Sequence, residues 1–181
     1  MTKSVTIEKN AGNVYVGDSP EYEIDTAINE LLNHLASKRD EFKRINRKPT
    51  PVTIQKIKHN NIGSKKHIIK QYLDHSSKIE SALHDIDSSI TFGKHIVFQN
   101  LNDLYYSALD ELDMEYLYED IDINEIRKSS DYILDFIIQK LKNSAFESKN
   151  TPILKENIEL GVNVIVAHAF IECIIMEGPN S

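Results

Sequence analysis

The stretch Gly161–Met176, GVNVIVAHAFIECIIM, constrains this chain more than any other. From Ile158 onward, apolar residues fall on nearly every side of a helix drawn through it. Such a helix has no face to give to water and must be enclosed by others. Its sixteen residues are short for a bilayer span, and Asn163, His168 and Glu172 interrupt them, so no membrane role is read. The expectation is a helix from about Pro152 to Met176 at the centre of a bundle, ended by Gly178-Pro179.

The rest of the chain supplies the enclosing helices. Ser19-Pro20-Glu21 is a start signal, and Ile24, Ile28, Leu31, Leu35, Phe42 and Ile45 recur at three- and four-residue steps after it, until Pro49-Thr50-Pro51 stops the helix. After the short segment VTIQKIKHNNIG, similar stripes predict helices over about Ser64–Ile86, His95–Leu112 and Asn124–Asn143. At the N-terminus, Val5 and Ile7 share one strand face and Val14 and Val16 another, around the turn-prone Asn10-Ala11-Gly12-Asn13. A hairpin is expected there, and a two-stranded hairpin is marginal alone. Its unfinished edge makes these four residues a candidate for pairing with a partner or a second copy of the chain, while docking on its own helices is the alternative. The fold class is therefore mainly α: a helical bundle with a short N-terminal β-hairpin. Three parts are expected: residues 1–18 as the hairpin, 19–51 as a long helix and basic linker, and 52–181 as the bundle.

Composition agrees. Six Gly and five Pro in 181 residues are too few for the turns of a sandwich or barrel. One cysteine, Cys173, excludes an internal disulfide framework and a multi-cysteine zinc site. MTKSVTIEKN carries no long apolar core before a small-residue cleavage site, so no secretory signal is read and a cytoplasmic setting is expected.

Charge is divided. Lys38 to Lys70 holds eleven Lys/Arg and two acids, a net +9. Asp110 to Glu125 holds eight acids in sixteen positions and no base. Either run can be a solvated face, or can steer association. Lys38, Arg39, Lys43, Arg44, Arg47, Lys48, Lys65 and Lys66 are candidates for contact with nucleic acid or an acidic partner. Asp113, Glu115, Tyr116, Tyr118 and Glu119 are candidates for a basic partner, with Leu117 among them; the aromatic and leucine side chains would anchor either the core or that interface. The acids lack the turn glycine of a calcium loop.

Catalytic signals are sparse. There is no phosphate-binding loop and no nucleophile elbow, so neither catalytic residues nor a cofactor are expected. His168 and Glu172 lie four apart and share a helix face. They read as a buried hydrogen-bonded pair fixing helix register, with two metal ligands of a helical enzyme as the alternative. A small DNA- or RNA-binding regulator using residues 38–70 is a further reading.

Four segments carry a resemblance: Lys56-Ile57-Lys58-His59-Asn60-Asn61, Leu104-Tyr105-Tyr106, Val166-Ala167-His168-Ala169-Phe170-Ile171-Glu172-Cys173, and Met176-Glu177-Gly178-Pro179. Over roughly residues 52–179 the chain resembles the helical C-terminal domains of bacterial ABC-three-component conflict systems, and is similar to the small accessory subunit of these and of Lamassu-type defence systems. The resemblance implies a non-enzymatic adaptor. It would link an SMC/Rad50-like ABC ATPase to an effector such as a nuclease, in defence against phage or plasmids, with DNA in the assembled complex.

Overall fold

A computed structural model describes residues 27–37, 47–147 and 154–179. It contains α1 (Ala27–Ser37), α2 (Pro51–His59), α3 (Lys66–Ser89), α4 (Gly93–Glu111), α5 (Ile123–Glu147) and α6 (Lys155–Ile171). No strand occurs among the described residues, and the expected hairpin of residues 1–18 lies outside them.

Helix α6 is the hub. It packs against α1, α3, α4 and α5. Every residue from Val164 to Phe170 is buried. An all-round apolar sequence has found the one environment that covers every side of it. The other helices turn single stripes inward: Ile68, Ile79 and Ile86 on α3, Val97 and Leu101 on α4, Ile126, Ile133 and Ile137 on α5.

Two findings revise the expected boundaries. Helix α1 contributes Ile28, Leu31 and Leu32 to the same core as α6, so no division at residue 51 separates it from the bundle. Its approach is close enough to need a glycine: a Cβ on Gly161 would lie 2.6 Å from Leu32 Cδ2. Helix α6 also stops five residues early. Cys173 adopts φ 58°, and the Ile174 amide returns to Ala169 O at 2.9 Å. That is a Schellman-type end with a cysteine where glycine is commoner. The chain then folds back, burying Ile175 and Met176 beside the helix they were expected to extend. Apolar residues serve equally in a helix and in a strap packed on it, so composition did not mark the stop.

The segment after Pro51 is itself a helix. Thr50 caps α2 by accepting the Thr53 amide at 3.2 Å, and Pro51 occupies the first turn. Among the described residues, no helix is long and apolar enough to cross a membrane.

Truncating the hub tests its place. Phe170 is fully enclosed, so Phe170→Ala is expected to cost ~3–5 kcal/mol of unfolding free energy in denaturant melts. A loss below about 1 kcal/mol, the range of surface substitutions, would show that the side chain is not in the core.

Candidate functional site

The four sequence segments singled out above meet at one end of the bundle. Lys56 on α2 is 1% exposed, and its ammonium donates to Ile175 O at 3.2 Å. It also lies 4.9 Å from the centre of the Phe170 ring, a cation–π contact in a dry setting. Burial lowers the Lys56 pKa, while the neighbouring Cys173, Glu177 and Glu172 act against that shift. One turn later, Asn60 is wholly buried and holds the tail at two points. Its amide Nδ2 donates to Glu177 O at 2.7 Å, and its Oδ1 accepts the Glu177 N–H at 3.2 Å. From α4, the Tyr105 hydroxyl donates to Glu177 Oε1 at 3.0 Å. Burial, with the Glu177 charge second, pushes the Tyr105 pKa up. Arg127 on α5 donates to His59 O at 2.7 Å and ties α5 to the end of α2.

This clamp forms one wall of a concavity of about 440 Å³. His59 and Glu177 come from the clamp, and Tyr116, Glu119, Asp120, Ile121 and Ile123 from the segment between α4 and α5 and the start of α5 complete its lining. The acidic loop between α4 and α5 is ordered by its own chemistry. The Glu115 carboxylate accepts the amides of Leu117 at 2.6 Å and Tyr118 at 3.0 Å, and these bonds lower its pKa. The Tyr116 hydroxyl donates to Asp110 Oδ1 at 2.8 Å, and its ring lies 4.8 Å from that of Tyr106. Folding the loop this way leaves Leu117 74% and Tyr118 88% exposed. Two large apolar side chains therefore project beside a concavity lined by carboxylates.

The candidates for a basic partner thus separate into roles. Glu115 and Tyr116 build the loop, whereas Tyr118 and Glu119 are presented by it, with exposed Asp113 at its start. Sequence reasoning missed His59, Asp120, Ile121, Ile123 and Glu177 in this wall. Only the clamp, spanning 117 positions between Asn60 and Glu177, brings them together.

The basic run is less of a surface than its composition suggests. Lys56 is buried, Lys65 pairs with Asp135 at 2.6 Å, and the Arg47 guanidinium donates to the Ser76 hydroxyl. Lys48 and Lys66 are exposed. Lys38, Arg39, Lys43 and Arg44 lie outside the described residues, as do Val5, Ile7, Val14 and Val16.

His168 and Glu172 do not form the expected pair. Glu172 is exposed at the end of α6. His168 is 6% exposed, and neither ring nitrogen has a hydrogen-bond partner among the described residues. The imidazole sits between the rings of Tyr72 and Phe98, at 5.6 and 5.8 Å between centroids. The helical turn between them is intact, with the Glu172 amide donating to His168 O at 2.9 Å, but the imidazole is buried among aromatic rings while Glu172 is exposed. No group of three or more His, Cys, Asp or Glu among the described residues is placed to hold a metal.

Both features have measurable consequences. Asn60→Ala removes the bonds that hold Glu177, and leaves buried backbone groups unpaired. It is expected to cost ~1–3 kcal/mol and to raise amide exchange at residues 174–177, as checked by melts and hydrogen exchange. Burial, with Lys94 second, lowers the His168 pKa from 6.5 to about 4. The unfolded imidazole takes a proton below pH 6.5 and the native one does not. Stability is therefore full above pH 6.5 and falls as pH drops through about 4, by on the order of 3 kcal/mol. His168→Leu should flatten that slope, leaving the part from His75, whose pKa burial also lowers. An unchanged slope would remove His168 as its source.

No curated protein matches the chain, and no solved structure does. A family model, C-terminal domain 10 of the ABC-three component systems, matches residues 26–177. That span takes in all six helices and the tail to Glu177, the residue that Asn60 and Tyr105 hold. The chain belongs to the family of C-terminal domain 10 of the ABC-three component systems.

Proposed function

We propose that this chain is a non-enzymatic adaptor, joining an SMC/Rad50-like ABC ATPase to an effector such as a nuclease in a bacterial defence system against phage or plasmids. Membership of an ABC-three component family supports a role beside other subunits of one system. The observation that carries the adaptor reading is the loop that presents Leu117 and Tyr118 to solvent. Exposed leucine and tyrosine held in a fixed turn are the anchors of a protein-docking face. A residue placed for catalysis would instead sit within reach of a bound substrate, inside a cleft.

Co-expression with the ATPase and effector subunits of the same system tests the reading. A stoichiometric complex is expected, and the purified chain alone should hydrolyse neither ATP nor DNA. Leu117→Ser with Tyr118→Ser should weaken assembly by about tenfold or more, the size of losing one hot-spot anchor, with the melting temperature unchanged. Assembly of ATPase with effector to the same extent without this chain would overturn the proposal. So would turnover that survives purification and disappears with a point substitution in this chain.

A further inference from the structure

We propose that the concavity beside the acidic loop receives the side chain of an arginine or lysine from a basic segment of a partner protein, while Leu117 and Tyr118 cover apolar residues flanking that cation. The proposal rests on the adaptor reading and deepens it by naming the partner's chemistry.

The cavity wall decides the sign of the occupant. Glu119, Asp120 and Glu177 line it. The run from Asp110 to Glu125 contains no lysine or arginine to neutralise the loop from within. Glu119 and Asp120 make no hydrogen bond or ion pair with the described residues, so their charge is offered outward. Glu177 differs: the clamp fixes its backbone and Tyr105 holds one carboxylate oxygen, so its position is set before any partner arrives. An acidic segment would meet like charge here, and a purely apolar one would strip water from carboxylates without pairing them.

The rest of the wall decides that the occupant is more than a free cation. The Tyr116 ring is packed against Tyr106 and offers a π surface to a long basic side chain. Ile121 and Ile123 can cover the methylene stem of that side chain. Leu117 and Tyr118 stand outside the cavity, where a single ion would leave them in water. Cation and apolar neighbours together describe a peptide segment.

A labelled amphipathic peptide of arginine and leucine, about 16 residues long, is the probe, with its glutamate–leucine counterpart and spermidine as comparisons. Fluorescence anisotropy on the full chain should show saturable binding of the arginine peptide that weakens steeply with salt. Glu119→Gln with Asp120→Asn should weaken binding by about tenfold, and Leu117→Ser with Tyr118→Ser by a similar factor. Glu80→Gln with Glu147→Gln, which removes two carboxylates elsewhere, should change it less than about twofold. All these side chains are exposed, so matching melting curves establish that each variant is folded. Equal binding of the glutamate peptide would overturn the proposal. So would equal losses from the remote pair, an affinity for spermidine matching the peptide's, or self-association that the loop variants abolish. If the peptide fails to bind while the multi-subunit complex still forms, this inference falls and the adaptor reading stands. If the peptide binds and no complex forms, the adaptor reading is the one that fails.

Discussion

A helix with no polar face cannot be placed at the edge of anything. Helix α6 sets that requirement, and most of the architecture answers it: α1, α3, α4 and α5 each present one apolar stripe to it. The same requirement accounts for the closeness of α1, whose Leu32 uses the space left by the missing side chain of Gly161. A hub that packs on four neighbours also leaves little freedom in how they are arranged. Moving any one of them would uncover part of α6.

The hub still has an end, and that end is where polar chemistry enters. Beyond Ile171 the chain must stop being helical without exposing its backbone groups. Lys56, Asn60 and Tyr105 supply the partners: an ammonium to one carbonyl, a carboxamide to the N–H and C=O of one residue, a phenol to a carboxylate. Burying a lysine for this purpose is costly. The Phe170 ring below and the carboxylates nearby offset part of that cost. The clamp gives fixed orientation to the wall that carries His59 and Glu177, so a loop-bordered concavity gains one rigid side.

The helices with long, regular stripes were legible from sequence because one period dominates 19 to 25 residues of each of α3, α4 and α5. Helix α2 was not. At nine residues it is too short for a convincing stripe, and its start signal, Thr50-Pro51, also reads as the end of the helix before it. The end of α6 was hidden for another reason: Cys173 and Met176 adopt positive φ without being glycine, so no turn residue announced the reversal. Of the candidate site, the acids and the Leu117-Tyr118 pair were visible as composition. Which acids face the concavity depends on where Glu177 lies, and that follows from a contact 117 positions away in the chain.

The order in which this fold can be made follows from the position of its centre. Helix α6 follows α1 through α5 in the chain. During synthesis α1, α3, α4 and α5 therefore emerge before the helix they share, able to touch one another but with the faces meant for α6 uncovered. The contacts that complete the core join distant parts of the chain, so loop closure must be completed before burial compensates for it. Until α6 has been made, the four faces that α1, α3, α4 and α5 turn to it remain open to water. A domain whose hub is α6 cannot complete its core until that helix has been made, and its folding depends on whatever keeps the uncovered faces apart until then.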